Sequence, residues 1–416
     1  MAIAPNSPRS EDVTDLIIAG GGLVGATLAL AAARNGLSVA IIDQGHPGDY
    51  LNASYDGRSS AIAYSSRRMF GMLGVWEEML PDAGEIRDIR ITDGASPLYL
   101  HYDHREVGDE PLGWIVENQA IRRALLGATL NHPNIRWHHG DTVTSWQTEP
   151  ADVRVTTGKD CQMSAALLVA ADGRNSRLRT QAGIRTSEWT YNQTGIVCTA
   201  IHEHPHDNVA HERFLPAGPF AILPLPDREG RHRSSIVWTE RSDIAAAIMQ
   251  LDQTGFEAEL RSRFGDFLGE VTTEGGRWSW PLGVVHAEKY IAPRLVLAGD
   301  AAHGIHPIAG QGFNMGLRDV AALAEELVNA RRVGLDIGGA DVLARYQRWR
   351  HFDNTAMLGV TDVLNRLFSN NIPPVRLARD LGLGAVNRLP GLRRLFMRHA
   401  MGTTGDLPRL LAGEPI

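Results

Sequence analysis

Apolar positions follow two rhythms along this chain, and the switches between them sketch a fold. Residues 16–19 form a short unbroken apolar run, the length of one strand buried on both faces. Residues 23–34 are rich in Ala and Leu and predict a helix, with Gly36 placed to stop it. Residues 38–42 predict a second strand, ending at Asp43. Residues 59–73 carry Ala61, Ile62, Met69, Phe70 and Leu73 at spacings near three and four, which predicts a helix. Residues 86–92 and 98–102 alternate like the arms of a hairpin. A helix is expected over 118–130, small-sheet strands near 135–138, 142–148 and 153–157, and a buried strand over 165–171.

From residue 195 to about 282 the texture changes to short β runs and turns, interrupted by a helical stretch over 242–264. A buried strand returns at 295–298, and helices follow from near Gly312 to Arg331, over 341–357 and over 361–368. Strands near residues 16, 40, 169 and 297 must share one sheet, so the nucleotide domain is expected to be discontinuous. The expected fold is α/β (α+β overall). It has a Rossmann-like domain from residues 11–192 and 283–335, an inserted mostly β domain over 193–282, and a helical region over 336–416. No internal repeat or low-complexity linker breaks this pattern.

Composition narrows the classes. With 416 residues the chain exceeds one ordinary core. A formal charge of −7 argues against a nucleic-acid partner. The two cysteines, Cys161 and Cys198, are far apart and show no metal-ligand spacing, so no metal is expected and a reducing compartment is. Residues 16–33 are uncharged, but consecutive glycines inside them fit a strand-turn-helix and not a membrane span. Arg9 against Glu11, Asp12 and Asp15 is no basic signal region, and residues 1–10 read as a frayed tail.

Three motifs carry candidate chemistry. Gly20, Gly22 and Gly25 form G-x-G-x-x-G between the first strand and its helix. In that setting one glycine makes the tight turn, one lets a pyrophosphate approach the backbone, and one packs helix on strand. The helix N-terminus offers free N–H groups to the phosphates. Asp43, about twenty residues on, is placed to accept from a ribose hydroxyl. The second motif is Asp172-Gly173-Arg174 at a strand end. The third is Gly299-Asp300-Ala301-Ala302-His303, then Pro307 and Gly310-Gln311-Gly312-Phe313-Asn314. A strand-end carboxylate followed by small residues suits a ligand with sugar hydroxyls, and a helix opened by glycines suits developing negative charge.

These motifs, in this order, resemble the flavoprotein aromatic hydroxylases of the para-hydroxybenzoate hydroxylase type. Residues 306–319, His-Pro-Ile-Ala-Gly-Gln-Gly-Phe-Asn-Met-Gly-Leu-Arg-Asp, look like the signature of the UbiH/UbiF/VisC group of ubiquinone-biosynthesis hydroxylases. The likeness continues through Phe214, Gly218, Trp238, Trp280-Pro281-Leu282, Tyr346 and Arg350 and so covers nearly the whole chain. It implies FAD, NADH or NADPH, and O2, with a flavin peroxy adduct hydroxylating a polyprenyl phenol. It also implies roles. Gly20, Gly22 and Gly25 take the pyrophosphate, and Asp43, where most of the family carries Glu, takes the adenosine ribose. Arg58 and Asn118 lie near the flavin, Asp172 and Gly173 serve FAD and the nicotinamide cofactor, and Asp300 binds ribitol. Pro307, Gly310, Gln311, Gly312, Phe313 and Asn314 border the ring.

Several assignments have plainer alternatives. The alternative for Arg58 is an exposed helix-start arginine and for Asn118 a helix cap. His303 and His306 are weak candidates for proton relay beside the flavin, against buried structural histidines. Phe220, Leu223, Leu225 and Trp238 are candidates to roof an aromatic substrate, against ordinary sheet core. Residues 363–401 carry Arg366, Arg376, Arg379, Arg388, Arg393, Arg394 and Arg398 among leucines and phenylalanines, which suits a membrane surface, a biosynthetic complex or a helical cap. The location expected is cytoplasmic, peripheral to the inner face of the cytoplasmic membrane. Two further readings stay open: a hydroxylase of a small soluble aromatic, and a flavin-bearing scaffold subunit.

Overall fold

The computed structural model describes residues 12–52, 57–94, 96, 98–307, 310–369, 379, 382 and 384–416. At its centre four parallel strands, Leu295–Leu297, Gln162–Ala170, Asp12–Ala19 and Val39–Asp43, lie side by side, with Ile135–His139 parallel at one edge. Leu16, Ile17 and Ile18 are fully buried, and each such side chain contributes about 1.5–3 kcal/mol. Helix Leu23–Arg34 packs against helices Asn118–Leu130 and Gln311–Arg332. Its alanines bury completely and let the neighbouring backbones approach. No described helix is long and apolar enough to cross a membrane.

A second, eight-stranded sheet runs in the order 303–304, 271–287, 186–202, 231–241, 218–228, 209–215, 88–93 and 99–103. The hairpin of Asp88–Asp93 and Tyr99–Asp103 thus joins this sheet, through a parallel pairing with Val209–Leu215. The divisions drawn from sequence at 193 and 282 fall inside the strands Thr186–His202 and Val271–Ala287. Thr186–His202 is mostly exposed or half-buried in its first half and mostly buried in its second, and Val271–Ala287 runs on past 282 into its buried end, so each strand continues through the division.

Two elements differ from the sequence expectation. Residues Ser59–Ala63, expected as the start of a helix, form a strand paired with Gly113–Glu117, and helix Tyr64–Met72 follows. The small side chains there make room for a neighbouring helix start: a Cβ on Gly310 would sit 2.6 Å from the Ala61 Cβ. Tertiary pairing overrides the local helical spacing. The helices expected over 341–357 and 361–368 are one continuous helix, Ala340–Phe368.

Candidate functional site

The parallel strands all deliver their carboxyl ends to one edge, where open α/β sheets place their ligands. The Ala171 N–H donates to the Ala19 carbonyl at 2.8 Å, and the Ala298 N–H to the Ala170 carbonyl at 3.0 Å. The loops that carry the three motifs are thereby stitched together.

The glycines divide by what surrounds them. Gly20 has φ +101, and a Cβ on it would lie 2.3 Å from the Ala171 carbonyl oxygen. A Cβ on Gly25 would lie 1.9 Å from the Gly20 oxygen. These two glycines are needed for packing. Gly22 differs: nothing lies within 4 Å of its Cβ position. It faces open space at the start of helix Leu23–Arg34, which has no side-chain cap and no acid in its first turn. Helix Gln311–Arg332 starts in the same bare way after Gly310, at φ 60. Two uncapped N-termini beside an open glycine fit an anionic dinucleotide such as FAD.

One cavity of about 1260 Å³ opens onto these elements. Gly22, Asn118, Gly173 and Asp300 line it, as do Pro307 and the run from Gly310 to Asn314. Ile308 and Ala309 of the signature lie outside the described residues. Asn314 clamps its helix start in place. Its oxygen accepts from the Ala63 N–H at 2.9 Å and the Ser66 hydroxyl at 2.8 Å, and its amide donates to the Ala61 carbonyl at 2.8 Å. Asn118 is the first residue of its helix, with Glu117 at the cap position, and accepts from the Ser60 hydroxyl at 2.7 Å.

Other expected residues sit beside the cavity and not in its wall. Asp43 organises the glycine loop: its carboxylate accepts from the N–H groups of Gly21 at 2.6 Å and Gly45 at 2.8 Å and from the Tyr50 hydroxyl at 2.8 Å. Burial, and then this carboxylate, push the Tyr50 hydroxyl up to about 12, so it stays a donor. Asp172 Oδ2 accepts from the Arg177 N–H at 2.9 Å at the start of helix Arg177–Gln181, whose cap is Ser176, while its Oδ1 is buried without a partner among the described residues. The Arg58 guanidinium lies over Trp280, 5.5 Å from the ring centre.

The two candidate histidines are both deeply buried. His303 Nε2 lies 2.5 Å from Asp319 Oδ2, and both side chains are fully buried. Asp319 also accepts from Arg350 Nε at 2.9 Å, Asn354 at 3.1 Å and the Gly299 N–H at 3.0 Å. Burial would raise the Asp319 carboxyl, but the charge and hydrogen bond of His303 and the Arg350 guanidinium outweigh it and hold it at about 2. His306 is fully buried with neither ring nitrogen bonded among the described residues, edge-on to Tyr191 at 5.3 Å. Desolvation holds it down at about 4 against an ordinary 6.5, so the native ring stays neutral where the unfolded ring takes up a proton. The stability this confers is present above pH 6.5 and is lost as pH falls towards 4, on the order of 3 kcal/mol in all. His306→Phe is expected to flatten the fall in Tm between pH 6.5 and 4, as read by calorimetry.

The roof divides by strand parity. Phe220 and Trp238 point away from the cavity into a separate core with Phe256 and Phe264, and Leu225 is buried in an apolar cluster with Ile115 and Phe214. Only Leu223 of that candidate set lines the cavity, with Ala221, Val237 and Thr239. Successive side chains of a strand face opposite ways, so Phe220 and Leu223 cannot share a face. Sequence reasoning missed two charged wall residues, Arg174 and Glu212. Arg174 stood in the second motif. Glu212 is the lone acid on the inner parity of Val209–Leu215, a strand the sequence reading did not draw.

Comparison with known proteins agrees with this geometry. The model of the FAD binding domain family matches residues 13–358. The chain is 48% identical to the ubiquinone hydroxylase UbiL of Rhodospirillum rubrum, over 100% of this chain and 96% of that one. It is 34% identical to the 3-demethoxyubiquinol 3-hydroxylase of Escherichia coli, over 94% and 98%. The crystal structure of p-nitrophenol 4-monooxygenase from Pseudomonas putida shares the fold at a TM-score of 0.78 and 17% identity, covering 95% of this chain and 100% of that one. A cofactor cleft assembled from separated segments, and relatives aligned from end to end, leave one conclusion: the chain belongs to the class A flavoprotein monooxygenases, the FAD-dependent family that includes the ubiquinone-biosynthesis hydroxylases.

Proposed function

We propose that this FAD-dependent monooxygenase hydroxylates the aromatic ring of a polyprenyl phenol on the way to ubiquinone, taking electrons from NADH or NADPH and one oxygen atom from O2. The observation that carries this reading is the continuity of one cavity. It runs from Gly22 and Gly310 to apolar side chains of helices Ala340–Phe368 and Pro390–Ala400, including Leu364, Leu395 and Phe396. A ring seated at the cofactor end leaves apolar lining further along for a prenyl tail, and the single cavity has to hold the flavin as well as the substrate.

FAD, when bound, supplies the redox chemistry that activates O2. The chain's own residues hold and enclose it. The amides at the start of helix Leu23–Arg34 and the open face of Gly22 would hold the pyrophosphate. Asp43 and Asp300 would serve the two sugar portions, with Asp172 and Gly173 beside them. Gly310 to Asn314 would border the ring, where the uncapped helix N-terminus favours negative charge. Ile305, Leu223 and Val237 keep the reacting end dry.

The test is mass spectrometry of quinone intermediates in a strain lacking the gene. Accumulation of a prenylated precursor short of one ring hydroxyl is expected. Undiminished ubiquinone would contradict the reading and favour a small soluble aromatic. Ubiquinone restored by a FAD-empty variant would favour a scaffold subunit.

A peripheral membrane contact is part of the same proposal. Leu389, Leu392, Leu395 and Phe396 are exposed, with Arg388, Arg394 and Arg398 beside them. Arg379 is buried against Asp93, Arg393 pairs with Glu106 and Arg366 with Asp362, so these three are tied to the fold. Arg376 lies outside the described residues. Exposed apolar and basic side chains around the mouth of an apolar cavity suit an anionic bilayer, from which a prenylated substrate can enter directly. Phe396→Asp is expected to lower sedimentation with anionic vesicles about tenfold while FAD content is unchanged. Equal sedimentation would remove this helix as the contact.

A further inference from the structure

The cavity roof is one face of the eight-stranded sheet, and its register can be read across. One row runs Val237, Ala221, Glu212, Ile91, Leu100. The row beside it runs Ala210, Ile89, Tyr102, and Leu223 shares the face of Ala221 two residues along its strand. Every residue of both rows lines the cavity. Glu212 is therefore a carboxyl in the middle of an apolar roof, between Ala210 and Phe214 on its own strand. No described hydrogen-bond donor or cation pairs with its side chain. A carboxyl in such a place carries a cost that a structural role does not explain.

The other ionisable groups of the cavity are engaged or stand on other elements. Asp93, on the strand beside Glu212, is held by Arg379 at 2.8 Å. Tyr102 is pushed up to about 12 by burial and stays neutral. His211 turns to the opposite parity, its ring 4.6 Å from Phe267. Strands Gly218–Arg228 and Arg231–Arg241 offer only Pro219, Ala221, Leu223, Val237 and Thr239 to the cavity. Asp300 and Arg174 belong to the cofactor loops, and His399 to helix Pro390–Ala400.

We propose that Glu212 is a catalytic residue that accepts the phenolic proton of the substrate and so orients and activates its ring. This rests on the phenolic substrate class proposed above. The phenol O–H bond breaks, its proton passes to a Glu212 carboxylate oxygen, and its electron pair stays on the phenolic oxygen, enriching the ortho and para carbons. Glu212 returns the proton to the product's oxygen, while the C–H bond at the attacked carbon breaks and its hydrogen leaves as a proton that goes into the water formed from the second oxygen atom of O2. The attacking oxygen atom is the one the enzyme takes from O2. Burial pushes the Glu212 carboxyl up to about 7. That brings it closer to a phenol near ~10 than an ordinary carboxylate stands, while leaving it ionised in mildly alkaline solution.

The experiment compares binding of 2-geranylphenol and its methyl ether, 2-geranylanisole, to the FAD-loaded enzyme between pH 5.5 and pH 8.5, in wild type and Glu212→Gln. The wild type is expected to prefer the phenol by roughly 10- to 100-fold at the alkaline end, with the preference lost as the carboxyl protonates. Glu212→Gln is expected to show no pH-dependent preference and a kcat/KM about 10²-fold lower, without the acid limb of the profile. An unchanged preference in Glu212→Gln, with normal FAD content, would overturn the role of Glu212 and leave the phenol reading intact. Wild-type enzyme that binds neither compound would contradict the phenol reading and Glu212's role with it. Should Glu212→Gln not fold, infrared difference spectra of the wild type decide: a protonated-carboxyl band that titrates near neutral pH and is displaced by the phenol is expected, and a band indifferent to the phenol would overturn the assignment.

Discussion

Gly22→Val is expected to give a protein that folds normally and is colourless. The backbone at Gly22, φ −65 and ψ −174, is extended and open to any residue, and nothing lies within 4 Å of the Cβ position. The folded apoprotein therefore has no new clash, and its stability should change by no more than ~0.5 kcal/mol. The added side chain instead fills the space before the helix N-terminus, where the pyrophosphate must approach the amides. A loss of about 10³-fold or more in FAD affinity follows, on the order of 4 kcal/mol. Wild-type Tm should rise with added FAD, and the variant's should not. Gly25→Val is the contrast: its Cβ would overlap the Gly20 oxygen at 1.9 Å, so the fold itself should fail. The pair separates a glycine kept for the ligand from one kept for packing. A yellow Gly22→Val protein would place the cofactor elsewhere.

Asp319→Asn should cost about 3–5 kcal/mol, the range for breaking a buried ion pair. The substitution leaves the Arg350 guanidinium buried, with Asn354 at 2.7 Å and the half-exposed Asp353 at 2.8 Å as its remaining partners. It also weakens the bonds to His303 and to the Gly299 N–H. Because Gly299 precedes Asp300 at the cavity wall, FAD retention should fall along with the urea midpoint. His303→Asn should cost less, since Arg350 still neutralises Asp319. A variant with an unaltered midpoint would show that the network is idle.

The glycine loop was legible from sequence because its requirements are local. Three glycines at fixed spacing, with a strand before them and a helix after them, predict a tight turn, an open face and a close helix–strand contact, and Gly20, Gly22 and Gly25 sit as that spacing demands. The signature from Pro307 to Asn314 was legible through family resemblance. What remained hidden is what only neighbours decide. Ser59–Ala63 has helical spacing, yet it is a strand because Gly113–Glu117 pairs with it. Phe220 and Trp238 are large and aromatic, yet parity turns them into a separate core, and the small Ala221 and Val237 face the cavity. Both faces of that sheet are apolar, so alternation shows that there are two faces and not which one is inside. His303 was visible as a histidine near the flavin loop. Its engagement depends on Asp319 and Arg350, brought in from two later helices.

The most direct test of the whole account is turnover of the purified, FAD-loaded protein with NADH or NADPH and a short-chain prenylated phenol under ¹⁸O₂. The account predicts reduced nicotinamide consumed in step with a hydroxylated ring that carries one ¹⁸O atom. Nicotinamide oxidised to hydrogen peroxide with the ring unchanged, or a ring oxygen drawn from water, would contradict it.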